Sequence, residues 1–394
     1  MTQMTPHIYL ITLGISAQHG SELSVGWQWY QRISQRAPVT VVTHTLFDDS
    51  RFVDAETRST FVFLGRKPFL EDAFNRIHQY YAFTFWFRCR RYLKARLTDQ
   101  DRVFIVTPAA LWFLPVLGGL AGFRGQVFFG PIGGELLATD LLMSARERLH
   151  AKLRNVLTRG LLMAWRKKAS RLPAHVGFRA ASTERIFPVE GFTSAGLFAE
   201  VDLGEALQIT PDDSASRPPI HPSETTTNLV FIDARLRKNT PRNLTVAAAL
   251  ATERKTSGNA SIRTILLGSR RNYTRYKAAC AAIEGAEWKE TLPRAEFLDL
   301  LSKERPNVVA LSLSEGVPGF LLEALAAGCW VLVYPVGGIE WLIESAAETI
   351  PAPVIAGTEL PGNGVWLRWN QHSALHYQSN LQSRLSSFLE DFIR

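Results

Sequence analysis

The chain has 394 residues, of which 46% are hydrophobic and only 20% charged, about two or three ordinary domain lengths. With Gly (27) and Pro (20) near average usage, disordered, collagen-like and disulfide-scaffold classes are excluded. The excess of 44 Lys+Arg over 36 Asp+Glu gives +8, which favours polyanionic partners (nucleotide phosphates, acidic lipid headgroups or nucleic acid) without choosing among them.

The amino-terminal run MTQMTPHIYLITLGISA lacks the basic segment of a secretory leader, and Ile8–Leu13 reads as a strand. Further β-branched and aromatic runs follow at Val39–Thr43, Phe61–Leu64, Val103–Val106, Gln126–Phe129 and Ala174–Phe178, separated by helix-length stretches. That alternation predicts βαβ units and a parallel sheet. Val103 to Phe123 is uncharged over 21 residues, a bilayer's length. Pro108, Pro115 and Gly118-Gly119 interrupt it, so it reads as a buried strand, a buried helix and the approach to a second strand.

Four prolines among Ser, Thr and Asp between Ile209 and Thr227 mark a linker. The pattern then restarts, with strands expected at Leu229–Ile232, Arg263–Leu267, Val308–Leu313 and Val331–Tyr334. Leu375, Leu381, Leu385, Phe388, Leu389 and Phe392 stand at helical spacing, predicting an amphipathic closing helix over 373–394. The fold class expected is α/β: two doubly wound, Rossmann-like domains over 1–208 and 228–372, joined by the linker 209–227. Ligands in such folds bind beyond the carboxyl ends of the strands, so a central cleft between facing domains is expected. Cys89, Cys280 and Cys329 are odd in number and far apart, which points to a reducing, cytoplasmic compartment and gives no zinc spacing.

The chemistry concentrates in 310–343, ALSLSEGVPGFLLEALAAGCWVLVYPVGGIEWLI. A strand runs into the loop Ser314-Glu315-Gly316-Val317-Pro318-Gly319, and a helix over Phe320–Ala327 follows, stopped by Gly328. Free backbone N–H groups at a Gly-rich loop and helix start suit a diphosphate. Glu315 at the strand tip can accept hydrogen bonds from sugar hydroxyls, and Glu323 on the helix can grip the two hydroxyls of a ribose.

Glu315 and Glu323, set within SEGVPGFLLEALAAG, resemble the E-x7-E motif of retaining GT-B glycosyltransferases of family 4. The stretch Gly20-Ser21-Glu22-Leu23-Ser24-Val25-Gly26-Trp27-Gln28-Trp29 is similar to the GSExxVGWxW opening of one branch, and Phe129-Gly130-Pro131-Ile132-Gly133-Gly134-Glu135 to its GPxGGGE turn. The resemblance implies a GT-B fold whose last helix packs back on the first domain, and a metal-independent transfer of a sugar with retention. It places Glu315 on the donor sugar and Glu323 on the nucleotide ribose. Gly316, Val317, Pro318 and Gly319 fall beside the sugar and phosphates, and Gly20, Ser21, Gly133, Gly134 and Glu135 on the acceptor side. Arg235 matches the Arg of the family's GRLxxxKG pattern; the Lys position holds Thr240, which leaves Lys238 or Arg242 to serve. Where many relatives carry a donor-facing His, Val106–Ala110 has none, leaving His19 and His78 elsewhere.

The resemblance implies a nucleotide-sugar donor, a glycan or lipid-linked acceptor in cell-surface polysaccharide or glycoconjugate synthesis, and neither cofactor nor metal. The alternatives are a non-catalytic nucleotide-sugar or glycan-binding protein and a sugar-nucleotide epimerase. Asp99-Gln100-Asp101 is a DxD, read as a turn before the next strand rather than a metal site. Tyr80–Lys94 interleaves aromatics with cations, and Arg146–Arg171 forms a basic amphipathic pattern. Both suit an anionic membrane surface, hence a peripheral place on the inner face of a membrane, and neither matches a nucleic-acid module.

Overall fold

The computed structural model describes residues 6–15, 22–44, 60–64, 84–107, 120, 122–133, 136–142, 144–169, 174–179, 181–187, 192–197, 221–233, 235–256, 262–290, 292–313, 316, 318–352, 354–355, 358–360 and 364–393. Contacts divide the chain into two compact units. The first comprises Met1–Gly133, Leu157–Val201 and Leu381–Arg394, and the second Gly134–Val156 and Asp202–Asn380.

The first unit is built on seven parallel strands, β1 (Ile8–Ile11), β2 (Val39–Thr43), β3 (Thr60–Phe63), β4 (Arg102–Ile105), β5 (Gln126–Ile132), β6 (Ala174–Phe178) and β7 (Phe192–Leu197). Their order is β3-β2-β1-β4-β5-β6-β7, with Ile8 beside Val39 and Arg102. Both faces are covered, which is why the strands read as unbroken apolar runs. Tyr9, Ile11, Val103, Ile105 and Phe129 face one core, shared with Phe85, Cys89 and Leu93 of a helix over 84–94. Ile8, Leu10, Phe104 and Phe128 face the other, packed by Val25, Trp29 and Ile33 of the Glu22–Ser34 helix. Leu385, Leu389 and Phe392, set at helical spacing, complete that second core.

The second unit carries β8 (Thr227–Phe231), β9 (Arg263–Leu267), β10 (Ala286–Lys289), β11 (Asn307–Ala310), β12 (Val331–Val333), β13 (Glu348–Pro351) and β16 (Val365–Arg368) in the order β10-β9-β8-β11-β12-β16-β13. All ladders of that sheet are parallel except those of β16, which runs against β12 and β13; β14 (Val354–Ile355) and β15 (Thr358–Glu359) form a separate antiparallel ribbon. Leu137, Leu141, Leu142 and Ala151 join this unit's core with Val230, Val309 and Leu332, and the Ala138 N–H donates to the Leu313 carbonyl at 2.9 Å.

The strands anticipated from sequence are present: Val39–Thr43, Ala174–Phe178 and Arg263–Leu267 with the expected ends, the others with ends shifted by up to three residues. β7, β10 and the hairpin strands from 348 to 368 were not anticipated, because FTSAGL and AEWK are short, polar and half-exposed, with no apolar run to announce them. The closing helix runs over Gln371–Ile393 and the basic helix over Ala145–Ala169. Of the helix expected over 109–123, all but Leu120, Gly122 and Phe123 lies outside the described residues. Among the described residues, no helix is long and apolar enough to cross a membrane.

Candidate functional site

In each sheet the strand order reverses once: between β1 and β4 in the first, between β8 and β11 in the second. Connections leave such a pair in opposite directions, which opens a crevice beyond the carboxyl ends of the two strands. The loops leaving β8 and β11 are the basic Asp233–Asn239 stretch and the Leu311–Pro318 stretch, so the topology itself brings the two candidate segments side by side.

Main-chain hydrogen bonds fasten them. The Leu313 N–H donates to the Arg237 carbonyl at 2.7 Å, and the Leu311 N–H donates to Asn243 Oδ1 at 2.9 Å. Asn243 Nδ2 in turn donates to the Lys238 carbonyl at 3.2 Å. Thr240, buried at the Lys position of the family pattern, closes the basic loop: its hydroxyl donates to the Asp233 carbonyl at 2.7 Å and accepts from the Asp233 N–H at 3.0 Å. A long cation would find no room in that role. Asp233 also receives the Arg235 N–H and Nε, each at 2.8 Å. Burial alone would raise the Asp233 carboxyl, but Arg235, with Lys238 beyond, holds it below its ordinary value. The Lys238 ammonium lies 5.5 Å from the Phe320 ring centroid, and Phe320 packs on Phe231 at 4.2 Å. Lys238 is thereby held over the first turn of the Gly319–Ala326 helix, whose N-cap is Pro318.

Glu323 sits on that helix among buried Leu321, Leu322, Ala324 and Leu325, and is itself 8% exposed. Arg294 Nε donates to Glu323 Oε1 at 2.9 Å, with both side chains mostly covered. Arg294 is the first residue of the Arg294–Glu304 helix, so the start of that helix delivers a guanidinium to the carboxylate. Gly328, at φ +75°, ends the Glu323 helix as expected. Gly316 is buried; Ser314, Glu315 and Val317 lie outside the described residues.

In the first unit the glycine-rich stretches have packing reasons of their own. A Cβ on Gly26 would stand 2.5 Å from Thr12 Oγ1 and 2.7 Å from the Gly14 carbonyl, so the helix can approach the loop after β1 only with glycine there. Trp29 of the same stretch is core, its ring tilted against Phe128 at 5.1 Å. Gly130 has φ +141°, and a Cβ on it would meet the Gly177 carbonyl at 2.5 Å. Gly133 rests against the Arg179 side chain, whose Nε donates to the Pro131 carbonyl at 3.1 Å. Gly20, Ser21, Gly134 and Glu135 lie outside the described residues, as do His19 and His78.

The remaining candidates separate clearly. Asp101 Oδ2 accepts from the Thr98 N–H at 2.6 Å and its hydroxyl at 3.0 Å, so the DxD is a stapled turn. Among the described residues no three His, Cys, Asp or Glu side chains are grouped to hold a metal. Phe85 and Trp86 are core, leaving Phe87 as the exposed aromatic of the described helix 84–94. A small apolar hollow of about 50 Å³, lined by Val176, Phe178, Glu184, Phe187, Phe192 and Ser194, holds none of the candidates. Sequence reasoning missed Arg294, 29 residues from its partner, and Asn239, whose positive φ of 51° and buried Nδ2 without a hydrogen-bond partner place a polar group between Lys238 and Thr240. An Asn following two cations in a turn was the only signal for the latter.

No protein-family model matches the chain, and no curated protein sequence does. Solved structures do. One is the α,α-trehalose-phosphate synthase (UDP-forming) of Burkholderia xenovorans in complex with glucose-6-phosphate, at 12% identity and TM-score 0.62, covering 98% of this chain and 99% of that one. Another is the N-terminal domain of trehalose-6-phosphate phosphatase from Candida albicans, at 11% identity and TM-score 0.56, covering 100% and 94%. WaaG, a glycosyltransferase involved in lipopolysaccharide biosynthesis, matches at 12% identity and TM-score 0.50 over 98% and 94%. Identities this low speak to architecture, and the architecture they share with this chain is the two-domain α/β GT-B fold.

Proposed function

We propose that the chain is a retaining, metal-independent glycosyltransferase of the family-4 type, taking a sugar from a nucleotide-sugar held by the second unit. The acceptor is a glycan or lipid-linked glycan bound by the first, in cell-surface polysaccharide or glycoconjugate synthesis. The observation that carries the reading is the fastening of the basic 233–240 loop to the main chain at Leu311 and Leu313, beside the turn that presents Pro318 and Gly319. A diphosphate leaving group needs cations and amide donors fixed before reaction, since groups that need not reorganise stabilise developing charge most. Lys238 over the first helical turn fits that need, with Arg235 beside it. Glu323, its rotamer set by Arg294, would grip the ribose, and Glu315 would orient the sugar. With retention, the acceptor attacks on the face from which the diphosphate departs. Three buried, free thiols suit a reducing, cytoplasmic compartment.

The test is a melting-temperature screen with UDP-, GDP- and ADP-sugars, followed by transfer assays. A ligand that binds only the folded form raises the midpoint. Loss of that rise in Glu323→Ala and in Arg235→Ala is expected, and normal donor affinity in both would overturn the assignment. Saturable binding without turnover would point instead to a binding protein, and epimerised donor with no acceptor product to an epimerase.

A further inference from the structure

Eight large apolar side chains are strongly exposed among the described residues, and six of them stand on one helix, Ala145–Ala169: Leu149, Leu153, Val156, Leu157, Leu161 and Met163. Leu149, Leu153, Val156 and Met163 recur at i, i+4, i+7 and i+14, with Gly160 at i+11, so they form one stripe. The opposite side is the one the fold uses. Ala151 and Thr158 are buried there, and Asn155 clamps Leu137 with two 2.9 Å hydrogen bonds, one accepted from its N–H and one donated to its carbonyl. A helix fixed on one side and facing water on the other ordinarily presents polar residues outward. This one presents leucines, each of which leaves its apolar area wet.

The flanks of the stripe are cationic. The helix sequence holds eight Lys and Arg against the single Glu147, close to the whole chain's excess of eight. Lys152, Arg148 and Arg159 are exposed, on one margin of the stripe by the 100° step of the helix. Apolar centre, cationic margins and a length of about 37 Å are the properties of a helix lying in the plane of a lipid interface. We propose that this face docks on an anionic phospholipid surface, with the leucines entering the acyl boundary and the cations meeting headgroup phosphates. A second copy of the chain would bring two such cationic margins together, which repel. A nucleic acid would satisfy the cations and leave the leucines in water. The inference stands apart from the transferase reading and would hold for a protein with no turnover.

The full chain is to be sedimented with phosphatidylcholine vesicles, with and without phosphatidylglycerol. Binding to the anionic vesicles, weakened by salt, is expected. Leu153→Ser combined with Leu157→Ser should lower the partition coefficient by about tenfold or more at unchanged unfolding temperature. Lys152→Gln and Arg159→Gln should each lower it by about fivefold. These four residues are exposed, and the charge variants keep the test open should the serine pair misfold. Equal binding to neutral vesicles, no binding to either kind, or undiminished binding by the serine pair would overturn the proposal. So would a monomer–dimer equilibrium in sedimentation velocity that the serine pair abolishes, since the stripe would then belong to a second copy.

Discussion

Two helix glycines should respond to alanine with opposite signs. Gly26 and Gly160 both lie inside helices, where alanine is intrinsically better by about 1 kcal/mol. Around Gly160 nothing lies within 4 Å of an added Cβ, so Gly160→Ala should gain most of that amount. At Gly26 the added carbon meets Thr12 Oγ1 at 2.5 Å and a backbone carbonyl at 2.7 Å. Thr12 cannot swing aside freely, because its hydroxyl donates to the Gly14 carbonyl and pairs with Thr107 Oγ1, each at 2.7 Å. Thr107 Oγ1 also accepts the Leu13 N–H at 3.0 Å, tying the loops after β1 and β4 together. Overpacking costs about 1–3 kcal/mol, and two weakened buried hydrogen bonds about 1 kcal/mol each. Set against the helix gain of about 1 kcal/mol, Gly26→Ala should lose about 2–4 kcal/mol. Urea unfolding followed by tryptophan fluorescence reads the loss in the whole chain, and calorimetry on the same variants assigns it to a transition of one unit. If Gly26→Ala equals or exceeds the parent in stability while Gly160→Ala gains, the close approach of helix and loop is wrong.

The other expectations are briefer. Arg294→Met strands the Glu323 carboxylate in a leucine-rich wall and should cost about 3 kcal/mol in chemical unfolding, more than Glu323→Gln, which keeps a hydrogen-bond acceptor. Burial, with the Arg88 charge beside it, lowers His44 from 6.5 to about 4, so the unfolded chain binds the extra proton between those values. Stability should therefore fall as pH drops from 6.5 to 4, by up to about 3 kcal/mol, and His44→Phe should flatten the profile. Asn228 is fully buried with neither amide atom in a hydrogen bond, in register with Thr264 and Asn307 on the adjacent strands. Asn228→Leu should raise stability by about 1 kcal/mol, and a fall would mean that the amide is satisfied in solution.

The fold was legible because its strands are covered on both faces, so Ile8–Ile11, Val39–Thr43 and Arg263–Leu267 announce themselves as apolar runs. What escaped was edge and antiparallel structure: Phe192–Leu197 has half-exposed and exposed positions among its residues, and Val354–Ile355 is only two residues long. The Gly319–Ala326 helix was readable from its loop and its terminating glycine. The pairing of Glu323 with Arg294 was not, since a long-range ion pair leaves no periodicity in the chain. The resemblance places the GSE-type opening on the acceptor side, yet Gly26 and Trp29 in its described part have packing duties. Packing and catalysis both favour small residues after a strand, and sequence cannot tell which of the two asked for them.

The latch between Arg237 and Leu313, with Asn243 holding Leu311 and Lys238 together, has a kinetic consequence. A molecule arriving at the β8–β11 crevice meets walls whose backbone has already lost its freedom, so little of its binding free energy is diverted to ordering them. Association there should be set by diffusion and by the field of the nearby cations, quickening at low ionic strength, while differences between ligands appear in how slowly they leave.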